Sequence, residues 1–248
     1  MKSSELKGAF LGTLLGDSYV YRTYTFACEQ TSEDLIKFKA NLCKEITGVL
    51  PNIYTRQRAS RVVHKNKNIS TFKTTYSIHY TNPYFKKLYK SFYKNGKKIV
   101  TMTTLKYLTT LGVALWLMDD GYVNYKKTSH TRYFEISTDS FDLFSHKQIV
   151  QFFSERYNIS AQIIIHKSSK EADPKYRIRF NAHNAQILLS IVYKHFLPDF
   201  YYKLDLHYTE EALASKRCSD AYRDVYFHIT TQSSKEPNKN STLEEDIV

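Results

Sequence analysis

Two aspartates, Asp17 and Asp120, each end a short apolar segment, and their positions could support metal-dependent chemistry. The segments are residues 10–18 (FLGTLLGDS) and 113–121 (VALWLMDDG). Both are predicted to be buried helices, whose C-terminal ends carry unpaired carbonyls and partial negative charge. A carboxylate at such an end needs a cation, and two neighbouring carboxylates with only oxygen ligands favour Mg²⁺. Such a metal could activate a water and stabilise the leaving oxygen of a phosphodiester.

The composition indicates the partner on which this site would act. The 248 residues include 36 Lys and Arg against 24 Asp and Glu, a net charge of +12. This balance is typical of a protein that binds a polyanion, and a generically basic protein is the alternative. The 21 Tyr and only 7 Gly predict an ordered, strand-rich chain.

The cysteines and the apolar runs indicate where the chain works. Cys28, Cys43 and Cys218 share no close spacing, which argues against a zinc module or a disulfide framework and favours a reducing, intracellular compartment. No apolar run approaches the length that crosses a bilayer, and the first residues lack a signal-peptide cleavage pattern. We therefore expect no membrane partner. For the compartment, a mitochondrion, with the protein encoded in the organelle, and a bacterial cytoplasm are the two alternatives.

The predicted elements occur twice in the same order. The first half gives a strand at 19–29, a helix at 32–46 capped by Ser32, strands at 53–63 and 71–80, and a helix at 83–96. The second half gives strands at 122–126 and 132–138, a helix at 145–157, strands at 161–167 and 175–181, and a helix at 185–195. The repeat predicts two pseudosymmetric halves, with one acid-tipped helix from each meeting on the axis.

The halves are predicted to cover residues 1–104 and 105–230, with a linker near 96–104. Residues 231–248 contain almost no apolar side chains and are predicted to form a disordered tail. In the first helix Gly8, Gly12 and Gly16 recur at every fourth position, which lets a second helix backbone approach closely.

A lysine follows each acid at a similar distance. Lys98 lies 81 positions after Asp17, and Lys203 lies 83 positions after Asp120. Two motifs with two matched lysines are more specific than either motif alone.

Together these features resemble the LAGLIDADG homing endonucleases, in the single-chain form with two motifs. The second segment matches the motif more closely, through residues 116–121 (WLMDDG), and residues 197–204 (LPDFYYKL) resemble the segment that carries a basic active-site lysine. The resemblance covers residues 5 to 215. It implies an α+β fold of two αββαββα halves, with saddle-shaped antiparallel sheets and a central two-helix interface.

The resemblance also implies roles for individual residues. Asp17 and Asp120 would be the catalytic acids that hold Mg²⁺, which Mn²⁺ can replace, with the carbonyls of Gly16 and Asp119 as further ligands. The two lysines would lie near the scissile phosphates, where they polarise water or stabilise developing charge.

The motifs depart from the family pattern at a few positions. Ser18 stands where the motif normally ends in glycine, Asp119 occupies a usually small position, and Leu15 and Met118 replace the inner acid. None of these departures removes a catalytic carboxylate. These departures affect two expectations, namely the close packing of the two helices and the symmetry of the two metal sites.

In this family the sheets lie in the major groove, where alternate strand residues reach base edges. Basic residues on the predicted strands and their ends form the expected DNA face: Arg56, Arg58, Arg61, Lys73, Lys126, Lys127, Arg132, His166, Lys167, Lys175, Arg177 and Arg179. Solvated strand edges are the alternative for any single residue.

We therefore predict a monomeric, metal-dependent homing endonuclease that cuts both strands of a duplex of about twenty base pairs, roughly two turns of B-DNA. An intron-encoded RNA maturase, which needs the basic surface but not the acids, is the first alternative. A DNA-binding regulator that uses the fold without cleavage is the second.

Overall fold

A computed structural model describes residues 3–22, 24–64, 67–126, 128, 131–166, 174–215 and 218–233. It contains two antiparallel four-stranded sheets, each covered on one face by helices. The predicted α+β fold is confirmed.

The first half runs from the first long helix to a short hairpin. Its elements are α1 (Ser3–Leu15), β1 (Tyr19–Tyr21), β2 (Thr25–Gln30), α2 (Glu33–Thr47), β3 (Ile53–His64), β4 (Lys67–Thr81), α3 (Tyr84–Phe92), β5 (Tyr93–Lys94) and β6 (Lys97–Lys98). The sheet has the order β1-β2-β4-β3. Helix α2 begins where predicted, because the Ser32 side chain accepts a hydrogen bond from the Leu35 amide, and it ends at Gly48 in a left-handed conformation.

The second half repeats this arrangement. Its elements are α4 (Met102–Leu105), α5 (Thr110–Asp120), β7 (Gly121–Lys126), β8 (Thr131–Ile136), α6 (Leu143–Tyr157), β9 (Gln162–His166), β10 (Lys175–Asn181) and α7 (Ala182–Val192), then 3₁₀ turns at Tyr193–His195 and Pro198–Lys203. The sheet order is β7-β8-β10-β9, which matches the first sheet strand for strand. Helices α8 (Glu210–Ala214) and α9 (Asp220–Ser233) follow.

The core sits between the sheets and is centred on α1 and α5. Both helices are buried on nearly every face, as the sequence predicts for a central two-helix interface. Phe10 of α1 packs against Phe26 and Phe85, and Trp116 of α5 packs against Phe153. Each half thus contributes an aromatic cluster to its own side of the helix pair.

Most predicted elements differ from the observed ones by a few residues at their ends, and three predictions differ in kind or by a larger margin. The single strand predicted at 19–29 is a hairpin of β1 and β2, and the helix predicted at 83–96 ends at Phe92, because Asn95 and Gly96 adopt positive φ in the β5–β6 turn. Helix α9 continues to Ser233, beyond the predicted start of the tail, and residues 234–248 lie outside the described residues. No helix in the described part of the chain is long and apolar enough to cross a membrane.

Candidate active site between the two central helices

Helices α1 and α5 contact each other through their backbones. A Cβ atom at Gly12 would stand 1.9 Å from the carbonyl oxygen of Gly112, and one at Gly112 would stand 2.2 Å from that of Gly8. Gly16 faces the Asp119 side chain, so the two helices run in the same direction and their acidic ends meet. The predicted glycine stripe is the surface that α5 occupies.

The two predicted catalytic acids lie at this shared end in different surroundings. Asp17 follows the last turn of α1 and is exposed, whereas Asp120 is the last residue of α5 and is half-buried. Burial, together with the nearby carboxylates of Asp17 and Asp119, raises the pKa of Asp120 to about 8. No hydrogen bond or ion pair from the described residues reaches the Asp120 carboxyl group, although the charges of Lys98 and Lys203 partly oppose the rise in its pKa.

The two predicted lysines lie against the carbonyls at the helix ends. The Lys98 ammonium donates to the carbonyls of Gly16 (3.2 Å) and Ser18 (2.7 Å). The Lys203 ammonium donates to those of Met118 (2.6 Å) and Asp119 (3.1 Å). The structure therefore places one lysine at the end of each motif, as their spacing predicts.

Burial changes the proton affinity of both lysines. It lowers the pKa of Lys98 to about 8 against the opposing effect of the nearby aspartates, and it also lowers the pKa of Lys203. A lysine with a lowered pKa can exchange a proton near neutral pH more readily than a surface lysine.

Asp119 has a side-chain partner that the sequence analysis did not predict. Its carboxylate lies in the interior with no exposed side-chain surface and accepts two bonds from Lys39, at 2.8 and 2.9 Å, which is equally buried. Although burial opposes the charge on Lys39, the Asp119 carboxylate raises its pKa on balance, so the ammonium stays protonated.

This buried pair is connected to Asp17. The Gln30 side-chain amide donates to Asp119 (3.0 Å) and to Asp17 (3.1 Å), and the Asp17 backbone amide donates to Asp119 (3.1 Å). Lys39, Gln30 and Asp119 thus fix the position of Asp17, and the pseudosymmetric position of Asp119 in the first motif is Gly16, which has no side chain. The two acids are therefore held differently: the Asp17 carboxylate accepts a hydrogen bond from Gln30, whereas no hydrogen bond from the described residues holds the Asp120 carboxyl group.

The donor set at the helix ends suits a hard divalent cation. In the part of the chain that the structure describes, no group of three or more His, Cys, Asp or Glu side chains could hold a metal by itself. A bound cation would therefore need ligands from both Asp17 and Asp120, from the carbonyls of Gly16 and Asp119, and from water. The two carbonyls also accept hydrogen bonds from Lys98 and Lys203. Such an all-oxygen set with open positions is typical of Mg²⁺.

The first sheet carries part of the predicted DNA face. Arg56 and Lys73 are exposed, and Arg58 is exposed while ion-paired with Glu29 at 2.7 Å. The register pairs Arg58 with Lys73, so strand alternation puts Arg56, Arg58 and Lys73 on one face. The Arg61 side chain lies outside the described residues.

The second sheet carries its basic residues differently. Arg177 forms a bidentate ion pair with Asp139, with N–O distances of 2.8 to 3.2 Å. The Arg179 guanidinium donates to Glu135 at 2.6 Å and lies over the ring of Tyr133. Lys126, Lys175 and His166 lie at strand ends of this sheet, and Lys127 and Lys167 lie outside the described residues.

Arg132 requires a correction. Strand alternation puts it on the opposite face from Arg179, where it stacks between Tyr125 and Tyr208. Its guanidinium donates to the carbonyls of Leu206 and His207. Arg132 therefore supports the chain just after Lys203 and does not lie on the sheet face that carries Arg177 and Arg179.

Comparison with known proteins decides the family. A model of the LAGLIDADG DNA endonuclease family matches residues 7–188, which is most of the chain. The chain belongs to this LAGLIDADG family. The membership that the two motifs predict is thereby confirmed.

LAGLIDADG relatives include proteins of two kinds. The cytochrome b mRNA maturase bI2 of Debaryomyces hansenii is 25% identical over 207 residues, which cover 81% of this chain and 73% of the relative. The intron-encoded endonuclease ai4 of Dictyostelium discoideum is 26% identical over 160 residues, 64% of this chain and 94% of the relative.

A solved LAGLIDADG structure shares the fold. It is the homing endonuclease I-WcaI bound to its DNA recognition sequence, with a TM-score of 0.65, 21% identity, and coverage of 83% of this chain and 88% of that one. At this level of identity the likeness shows the architecture.

The sequence analysis of this LAGLIDADG chain missed Lys39 and Gln30. A signal for Lys39 was present: it lies between Ile36, Ala40 and Cys43 on the apolar face of α2, where an ionisable side chain must have a buried partner. Gln30 carried no comparable signal, because its role depends on the end of β2 reaching the helix interface.

Proposed function

We propose that this protein is a site-specific double-strand DNA endonuclease. The observation that carries the proposal is the parallel, side-by-side packing of α1 and α5, which brings the ends that carry Asp17 and Asp120 together. At each of these ends a lysine donates to the last carbonyls of the motif. This pair of similar sites fits the two scissile phosphates of a duplex. A target of about twenty base pairs, two turns of B-DNA, suits two sheets side by side.

The proposed mechanism assigns each residue a role. Asp17 and Asp120, with the carbonyls of Gly16 and Asp119, would hold Mg²⁺ or, in its place, Mn²⁺. The bound metal supplies activation of a water and stabilisation of the leaving 3′ oxygen. Lys98 and Lys203 stabilise the negative charge that develops on each phosphate, since each ammonium lies at its motif's end.

The experiment is cleavage of the host gene from which the intron is absent. The purified chain with Mg²⁺ should cut both strands at one site, and a chelator should stop the reaction. The intron-containing allele, in which the target is interrupted, is the matched control and should stay intact. Tight binding to the intronless gene without scission in Mg²⁺ or Mn²⁺ would contradict the proposal and indicate a non-cleaving regulator.

An RNA maturase is the second candidate function, and the maturase name of one relative is the observation that favours it. Maturase activity would use the basic surface and would not need Asp17 or Asp120. Splicing of the host intron by the chain with both aspartates changed to asparagine would support it. Loss of splicing together with loss of cleavage would count against a separate maturase role.

We further propose that the chain acts as a monomer, with halves at residues 1–104 and 105–230. The second half contributes the pseudosymmetric site that a homodimer would otherwise supply. The names of the two curated relatives support an intron-encoded protein, and the three free, buried cysteines suit a reducing compartment. Of the two predicted compartments we favour the mitochondrion.

A further inference from the structure

The positive charge of the chain is distributed unequally. Residues 1–104 contain 18 Lys and Arg and 6 Asp and Glu, whereas residues 105–248 contain 18 of each. The first half, residues 1–104, therefore has a net charge of +12, whereas the second half, residues 105–230, has 16 Lys and Arg against 14 Asp and Glu, a net charge of +2. Between residues 46 and 118 there are 13 Lys and Arg and no acid at all.

The basic side chains on the first sheet and its hairpin have few internal partners. Arg56 and Lys73 are exposed, and no acid among the described residues lies within ion-pair distance of either. Lys94 and Lys97 are exposed and lie directly opposite each other across the β5–β6 hairpin. Like charges in this arrangement repel unless an anion lies between them.

The arginines of the second sheet already have partners. Arg177 is held by Asp139, and Arg179 is held by Glu135, an acid that is only 3% exposed. Arg132 is bonded to backbone carbonyls on the other face. A phosphate that approached Arg177 or Arg179 would have to replace a carboxylate, so the net gain in charge neutralisation would be small.

Electrostatic affinity for DNA comes from the counterions that are released when basic groups neutralise phosphates. A half with an unpaired excess of charge releases many, and a half whose arginines exchange one anion for another releases few. We propose that the first half is the anchor that holds the duplex and supplies most of the salt-dependent affinity. The second half adds its contacts after the duplex is held.

This inference rests on the proposed DNA binding but not on cleavage. The test therefore uses the full chain without divalent metal and a 30-base-pair duplex of arbitrary sequence, with affinity measured over a range of salt concentrations. One variant, Arg56→Gln/Lys73→Gln, removes two charges from the first sheet. The matched variant, Lys126→Gln/Lys175→Gln, removes two charges from strand ends of the second sheet.

If the first half is the anchor, the DNA affinities of the two variants should depend differently on salt concentration. In Arg56→Gln/Lys73→Gln the slope of log K against log salt should fall by about 1.8, which is about 60-fold in affinity at 0.1 M salt if the affinities match at 1 M. In the matched variant the slope should change by less than half of that. Unfolding curves of both variants check that each is folded.

The outcomes separate the two proposals. Equal changes in slope, or a larger change in Lys126→Gln/Lys175→Gln, would overturn the proposal that the first half is the anchor, even if the protein cleaves DNA. The expected slopes in a protein that cuts no target would support the anchor and overturn the endonuclease. A chain that binds no duplex at 50 mM salt would overturn both.

Discussion

At the scale of single residues, the Asp120 carboxylate should report metal binding through its proton. Its pKa is raised to about 8 by burial and by neighbouring acids, so at pH 7 most of the group is protonated. A metal ligand must be ionised, and a bound cation would therefore expel this proton. Calorimetric titration of Mn²⁺ at pH 7, in two buffers of different ionisation enthalpy, should show release of close to one proton.

The same residue gives the sign of the pH dependence. Metal affinity should rise as the pH rises towards 8 and level off above it, because the free carboxylate then needs no ionisation. Asp120→Asn should abolish the proton release. Equal metal affinity at pH 6 and pH 8.5 would contradict this account of Asp120.

A second prediction at this scale concerns the buried pair of Lys39 and Asp119. In Lys39→Met the Asp119 carboxylate loses its ion-pair partner, and an unpaired buried charge costs about 3–5 kcal/mol of unfolding free energy. Denaturant unfolding measures the loss. Lys37→Met, two residues earlier on the exposed side of α2, is the matched control and should leave the unfolding midpoint unchanged.

The double variant Lys39→Met/Asp119→Leu tests whether the charge or the packing matters. With both charges removed, stability should recover towards that of the parent, since an apolar pair can replace a buried ion pair. Equal losses in the single and double variants would show that the pair is not coupled.

At the scale of elements, the contact between α1 and α5 gives a prediction in which two effects oppose each other. Helix propensity alone would make Gly12→Ala stabilising by about 1 kcal/mol. A methyl group at Gly12 would, however, stand 1.9 Å from the Gly112 carbonyl oxygen, which is backbone and cannot move aside. We therefore expect a loss of about 2 kcal/mol or more in denaturant unfolding.

Lys7→Ala is the control for this substitution. Lys7 lies on the exposed side of the same helix, so its replacement should change stability little. A Gly12→Ala protein more stable than the parent would contradict the close packing of the two helices.

The chain around Lys203 depends on α9, and this gives the next prediction. The hydroxyl of Tyr222, a fully buried residue, donates to the Leu204 carbonyl and accepts from the Leu206 amide. Tyr222→Phe leaves both backbone groups unpaired in the interior, at a cost of about 1–3 kcal/mol. Thermal unfolding should show the loss, whereas Tyr202→Phe, at a residue 67% exposed, should not.

The helices, and the positions of the candidate site residues on them, were predictable from the sequence where the signal was local. Ser32 capped α2 where expected, and the glycine spacing identified the surface of α1 that meets α5. The helix predicted at 83–96 was too long because apolar periodicity continued past Phe92, while the Asn-Gly turn imposed a hairpin. Turn chemistry at two residues outweighed periodicity over a whole segment.

Partners brought together by tertiary structure were not predictable in this way. The Arg132 side chain stacks on Tyr208, which lies in a segment with no counterpart in the first half. Asp119 meets Lys39 only because two helices distant in sequence share one interface. The sequence indicated which residues carry charge, whereas the partner of each charge depends on how the helices and sheets pack against one another.

At the scale of the whole molecule, the two halves are similar in topology and different in electrostatics. The strand orders match, yet the first half has a net charge of +12 and the second half one of only +2. The acids also differ, because Asp17 is tied to Asp119 through Gln30 while no described side chain bonds the Asp120 carboxylate. The duplex should therefore meet a pseudosymmetric shape with unequal charge and unequally held acids.

The central claim is that Asp17 and Asp120, one from each half, together support cleavage of the duplex. The most direct measurement is linearisation of a plasmid that carries the target, with binding measured separately in Ca²⁺. Asp17→Asn and Asp120→Asn should each slow linearisation at least about 100-fold, since a bound metal supplies several kcal/mol of transition-state stabilisation, while binding is retained. Linearisation by either variant at the parent's rate would contradict the account.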